Sequence, residues 1–370
     1  MNRRTFLKLS ATLPAVSAMS HLPGALSIAA AQQKDFNPRP GTWRAYEITT
    51  RVELLKPIGV ARVWVPLPVV EADYQKPQGN KWSGNAKVME PATDPQYGAS
   101  MLYAEWSADE KAPVVEITSR FQTQDRGIDW SKKTPARLDA ATARKWTQPT
   151  DLMPTDGIVK DTADEITQGK RTDFDKVHAI YDWILANTYR EPKVRGCGVG
   201  DIKVMLETKN FGGKCADLNG LFVGLSRAAG VPARDMYGIR VAPSAFGYKS
   251  LGAGSANISK AQHCRAEVFL QDYGWVGMDP ADVAKAAREE TSEWLKVDHP
   301  LIAPVRPKLF GGWEGNWLAY NVAHDVKLPH AQAGKVGFLM YPQAETDEGR
   351  RDSLDPDTFK YTITTRALGA

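Results

Sequence analysis

Three side chains have the types and order that nucleophilic catalysis uses: Cys215, His263 and Asp279. Cys215 follows Gly212-Gly213-Lys214 and opens an apolar stretch of helical period. At a helix start, unpaired backbone N–H groups and the positive end of the dipole favour thiolate over thiol. The same N–H groups can hold an oxyanion as an acyl carbon is attacked. Gly212 and Gly213 leave room for a substrate to approach. A cysteine there also reads as a small buried hydrophobe that happens to begin a helix. His263 stands at the start of a strand-like stretch, and Asp279 ends the next one, Gly274-Trp275-Val276-Gly277-Met278. If the two strands form a hairpin turning near Asp272-Tyr273-Gly274, the start of one lies beside the end of the other. That places His263 against Asp279. Alone, the histidine reads as a satisfied structural residue and Asp279-Pro280 as a turn. In this order and context they read as a base and its orienter.

The helix that carries Cys215 has Leu218, Leu221, Phe222 and Leu225 on one face, Gly230 at its end and Pro232 beyond. Ahead of it, 138–146, 158–167 and the stretch after Asp173 have helical spacing, and Gly196, Gly198 and Gly200 mark a flexible connector. Strands are expected at 235–242, 265–271 and 274–278. Earlier, Tyr46, Ile48, Val52 and Leu54 alternate, and 61–67, 101–106 and 114–121 continue the series. Turn residues separate them at Pro77-Gln78-Gly79-Asn80, Gly84-Asn85 and Asp94-Pro95. Strand candidates recur at 336–341 and 358–366. The order is α+β, not βαβ repetition. The expected units are a linker at 32–43, an antiparallel, sandwich-like β domain at 44–130 and a core at 150–285. A β-rich extension at 286–370 packs on the core or on the β domain. The glycine- and serine-rich segment 243–262 reads as a mobile loop beside the site, or as an ordinary surface insertion.

The chain has 370 residues, 42% hydrophobic and 24% charged, which is the composition of a globular protein. Its net charge is +4. Without Arg3, Arg4 and Lys8, Lys+Arg against Asp+Glu is 44 to 43. Near-neutrality argues against nucleic acid as a partner. No apolar run after residue 31 is long enough to span a membrane. Gly212-Gly213-Lys214 does not make a phosphate-binding loop, because Thr208 and Cys215 stand where that loop needs glycine and Ser or Thr. No Cys-x-x-Cys or His-Glu-x-x-His pattern occurs, so neither metal nor cofactor is indicated.

Residues 1–31 resemble a twin-arginine export signal: Arg3-Arg4-Thr5-Phe6-Leu7-Lys8, a weakly apolar stretch, then Ala29-Ala30-Ala31. The resemblance implies the twin-arginine export machinery as a partner and a periplasmic or secreted location. In such a compartment a disulfide can persist, and Cys197 with Cys264 would tie the helical part to the sheet and leave Cys215 free.

Gly213-Lys214-Cys215-Ala216-Asp217, Leu221-Phe222-Val223 and Arg227-Ala228-Ala229-Gly230-Val231-Pro232-Ala233-Arg234 resemble the core of the transglutaminase-like superfamily. His263 with Arg265-Ala266-Glu267, and Gly274-Trp275-Val276 with Asp279-Pro280, match its further motifs in order. The resemblance spans about 160–283. It implies a papain-like α+β core with Cys215 as nucleophile, His263 as base and Asp279 as orienter. The family more often has an aromatic residue where this chain has Arg265. Exported bacterial members resemble thiol hydrolases more than crosslinking enzymes. The expected function is acyl transfer on amide or peptide bonds through a thioester, with a protein or peptide as substrate. The alternatives are glutamine crosslinking and a non-catalytic binding protein on the same scaffold. The N–H of Cys215 is the expected oxyanion donor, with Tyr189, Asn210 and Trp275 as side-chain candidates.

Overall fold

The computed structural model describes residues 35–369; the export-signal segment 1–31 lies outside the described residues. Strands β1 (Arg44–Leu54), β2 (Ala61–Leu67), β3 (Gln75–Gly84), β4 (Val88–Thr93), β5 (Ser100–Trp106) and β6 (Val114–Thr123) come first. Alternation along them sends one set of side chains inward. Val52, Leu54, Val115 and Ile117 from β1 and β6 meet Val63, Val65, Leu102 and Trp106 from β2 and β5. Two antiparallel sheets so pack face to face as a sandwich. Each such side chain contributes about 1.5–3 kcal/mol when fully buried.

β3 runs through residues whose types suggested turns, and β4, with Pro91, lies between two such clusters. Both lie at sheet edges, where proline and glycine are tolerated. The β3–β6 register shifts between Pro77 and Asn80, and this irregularity takes up Gly79 at φ +104°.

The central segment supplies α1 (Ala140–Lys145), α2 (Gly157–Thr167), α3 (Asp173–Asn187), α4 (Ile202–Thr208) and α5 (Cys215–Ala228). Then come β7 (Ala233–Arg240), β8 (Gln262–Leu270), β9 (Gly274–Met278) and α6 (Pro280–Glu289). With β10 (Trp317–Asn321), three of these strands form an antiparallel sheet in the order β9-β8-β7-β10. The sequence pattern marked one apolar face on α5, yet every residue of α5 is buried. It lies between α2 and α3 on one side and β7 and β8 on the other. Its polar residues therefore need partners inside the protein.

The last segment returns to both parts. β10 extends the core sheet. β11 (Gln343–Thr346) pairs with β2 and with β12 (Gly349–Arg350), and β13 (Phe359–Leu368) pairs with β1 along its length. Among the described residues no helix is long and apolar enough to cross a membrane.

Candidate active site

α5 begins where β7 and β8 present their ends, and this brings the three residues singled out in the sequence to one place. Cys215 and His263 line a cleft of about 630 Å³. The β8–β9 hairpin pairs Ala266 with Met278 and Leu270 with Gly274, so His263 and Asp279 emerge at the same end. His263 Nε2 lies 2.8 Å from Asp279 Oδ2. Nδ1 is the ring nitrogen that Asp279 does not take.

The helix start is arranged as an anion holder. The Ala216 N–H donates to the Cys197 carbonyl (2.9 Å), and the Lys214 N–H to Asp217 Oδ2 (2.9 Å). The Cys215 N–H has no hydrogen-bond partner among the described residues. Asp217 does more than favour the dipole. Its Oδ1 accepts from the Val199 and Gly200 N–H groups and so fastens the 196–200 connector against the helix. Gly198, at φ +92°, sits so close that a Cβ would meet Asp217 Oδ2 at 1.8 Å. Gly212 and Gly213, expected to admit a substrate, instead make room for the protein's own Tyr189 ring and for Asp217 and Leu218.

Four charged side chains and one amide surround the imidazole. Asp282 Oδ1 lies 3.3 Å from His263 Nε2 and is paired with Arg240. Arg265 Nε lies 3.4 Å from Asp279 Oδ2, and its guanidinium stacks over Trp317 and Trp313. Asn219 Nδ2 donates to Asp279 Oδ1 (3.1 Å) and to the Cys264 carbonyl (2.9 Å), while its Oδ1 accepts from the Ala281 N–H. All of these side chains are buried. Burial and Arg240 press the His263 pKa down, but Asp282 and Asp279 outweigh them and lift it to about 9. Burial opposes ionisation of Cys215, yet hydrogen bonds from Cys197, Cys264 and His263 and the imidazolium charge hold its pKa well below the ordinary thiol value. Both directions favour a thiolate–imidazolium pair. Burial and the neighbouring Asp282 charge raise Asp279, whereas Arg240 and then His263 overcome burial and hold Asp282 ionised.

His263, Asp279 and Asp282 also have the spacing of metal ligands. The two guanidinium groups of Arg240 and Arg265 already balance both carboxylates, so the cluster is a closed ion network.

Asn219, Asp282 and Arg240 were not singled out in the sequence. Two of them carried a signal. Asn219 lies one turn after Cys215, on the same helix face. Asp279-Pro280-Ala281-Asp282 is a helix start, with a carboxylate cap, proline at the first position and an acid at the third. Asp279 caps α6 by accepting from the Asp282 N–H (3.0 Å). Arg240 had no local signal; only strand pairing brings it to α6. Glu267, which the sequence leaves either facing outward or paired with an arginine such as Arg234, is buried between Arg126 and Arg234. Tyr189, Asn210 and Trp275 do not line the cleft. Tyr189 packs on Trp294, the Asn210 side chain accepts from the Gly212 N–H, and Trp275 stacks under Arg234. The Cys197–Cys264 bond that an exported chain could carry is not present; all three cysteines are unbridged. Cys197 donates to the Gln262 carbonyl, and Cys264 faces Met340 Sδ. The 243–262 segment walls the cleft but is pinned: Leu251 O accepts from Arg240 and Asn316, and the Ile258 N–H donates to the Ile363 carbonyl.

A protein of Haemophilus influenzae is 35% identical over 341 residues, covering 87% of this chain and 91% of that one. The transglutaminase-like superfamily model matches residues 160–280, which run from α2 to the start of α6. The chain belongs to the transglutaminase-like superfamily. Its fold is also similar to the crystal structure of a candidate cysteine protease from Cytophaga hutchinsonii, with TM-score 0.52 and 12% identity over 89% of this chain and 92% of that one. The periplasmic domain of TgpA from Pseudomonas aeruginosa is a looser match, with TM-score 0.33 and 16% identity over 66% of this chain and 96% of that one. Membership supports a thiol-dependent hydrolase or acyltransferase.

Asn219 gives a direct check of how this transglutaminase-like site is held. Asn219→Ala leaves Asp279 Oδ1, the Cys264 carbonyl and the Ala281 N–H short of a partner. Urea unfolding should show a loss of about 1–3 kcal/mol. An unchanged midpoint would mean that the amide holds nothing in place.

Proposed function

We propose that this protein cleaves or transfers acyl groups at amide or peptide bonds, as a cysteine peptidase or amidase, with Cys215, His263 and Asp279 as its triad. The observation that carries the reading is one cleft holding a thiol at a buried helix N-terminus and an imidazole fixed by Asp279 at 2.8 Å. The Cys215 thiolate attacks the carbonyl carbon, and the developing oxyanion takes the Cys215 N–H. The His263 imidazolium gives its proton to the leaving amine. Water then enters, His263 takes its proton, and the hydroxide displaces the thiolate from the acyl carbon. Asp279 keeps the ring in orientation, and Asn219 and Arg265 hold Asp279. The export-signal resemblance of residues 1–31 supports a site of action outside the cytoplasm.

The test is the pH dependence of Cys215 alkylation, in the protein and in His263→Ala. A reactive thiolate should persist well below the pH at which a free thiol, of pKa about 8.5, ionises. In His263→Ala the profile should move up toward that value. A free-thiol profile in both proteins would sink the proposal.

A further inference from the structure

The cleft around Cys215 has basic residues on its walls and no acidic one. Three arginines there are already answered by carboxylates: Arg240 by Asp282, Arg190 by Glu289 at 2.8 Å and Arg195 by Asp352 at the rim. Of the lysines, Lys260 is exposed to solvent. Lys214 and Lys285 are not, and neither ammonium makes an ion pair or hydrogen bond among the described residues. Lys214 immediately precedes the nucleophile, and Lys285 projects from α6 into the same cleft as His263. Both are partly buried. Partly desolvated cations without counter-charges are costly unless something anionic joins them.

Their environment agrees. Burial and Arg190 lower the Lys214 pKa, with weaker opposing pull from Cys197, Glu289 and Cys215. Burial, then Arg240 and Arg190, outweigh Asp282 and Glu289 and bring Lys285 down to about 8. A bound anion would reverse both shifts. The cleft is also lined by apolar and aromatic side chains, among them Leu354, Phe359 and Tyr361. A ligand that suits both linings has an apolar body and a negative group held close to the reacting carbonyl.

We propose that the acyl donor is an acidic peptide whose carboxylate, next to the scissile amide, is bound by Lys214 and Lys285. This rests on the reading of Cys215 as the nucleophile. It adds a substrate class that the triad does not imply, because the lysines take no part in bond making.

Two small alkylating agents of similar size test it. Iodoacetate carries the negative charge and iodoacetamide does not; with each, the thiolate sulfur displaces iodide. Rates at Cys215 are read by site-resolved mass spectrometry. The iodoacetate to iodoacetamide ratio should exceed that of a small free thiol by about tenfold, and should fall toward it in Lys214→Gln/Lys285→Gln and in high salt. A ratio that the double variant leaves unchanged overturns the proposal. A second measurement does not need a reactive thiol. In Cys215→Ala, calorimetric titration with glutarate and with neutral glutaramide should show binding of glutarate alone, weakened about tenfold or more by the two lysine changes. Equal binding of both compounds, or no binding of glutarate, overturns it. If Cys215 resists both alkylating agents, the nucleophile reading fails, and the glutarate titration alone decides the cationic subsite.

Discussion

Cys215→Ser should abolish thioester formation and reduce turnover of an activated acyl substrate such as a p-nitrophenyl ester by about 10⁴-fold or more. A serine hydroxyl at this helix start would not ionise under conditions where the thiol does, because the thiol begins from a much lower pKa. Wild-type protein should show a burst and an acyl adduct on Cys215 by intact mass; the variant should show neither. His263→Ala should cost nearly as much, since residues acting as one unit do not contribute additively. The pH profile of wild-type turnover on an amide substrate has a definite sign. The imidazolium must be charged to protonate the leaving amine, and it loses its proton as pH rises through about 9. Turnover should therefore fall on the alkaline side near that pH. On the acid side it should fall only well below the ordinary thiol range, where the thiolate is finally protonated. Undiminished turnover in Cys215→Ser would remove the thiol from the mechanism.

The second large effect is on stability. Arg240 and Asp282 are both about 2% exposed, and each is the other's principal counter-charge. Arg240→Met strands the Asp282 carboxylate in the interior and should destabilise the fold by about 3–5 kcal/mol in urea or thermal unfolding. Arg240→Met/Asp282→Leu should recover much of that loss, because no buried charge is then left without a partner. The single variant should also gain stability as pH falls, since protonating the stranded carboxylate removes its charge. The wild type behaves in the opposite way. Asp282 is held well below the ordinary carboxylate pKa, so its contribution is complete at neutral pH. It is lost only as pH falls through that depressed value. If the double variant were as unstable as the single one, the pair would not be the source of the loss.

Much of the site was legible in the chain because it depends on local rules. Gly212-Gly213-Lys214-Cys215 followed by Leu218, Leu221, Phe222 and Leu225 determined a helix with a cysteine at its start. The 262–279 stretch determined a tight hairpin, and pairing of its two strands brings His263 to Asp279 without any distant contact. The same local rules determined α3, although Thr172 caps its start and Asp173 is its first helical residue, and the alternation of β1 and β6. Local residue types failed at β3 and β4, where sheet-edge positions accepted the prolines and glycines that elsewhere make turns.

The rest needed the tertiary structure, for one physical reason: burial has no period. That α5 is enclosed on all sides follows from what packs around it, so its polar residues could not be assigned partners in advance. Asn219 bridges α5, β8 and α6, which are far apart in the chain. Arg240 reaches Asp282 only because β7 pairs with β8 and α6 folds back from β9. Whether a glycine makes way for substrate or for Tyr189, and whether Glu267 faces solvent or two arginines, depends likewise on neighbours from other segments. The sequence by itself determined which atoms could form the thiolate–imidazole pair. The tertiary structure decided the electrostatic surroundings of that pair, and left two lysines beside it without a counter-charge.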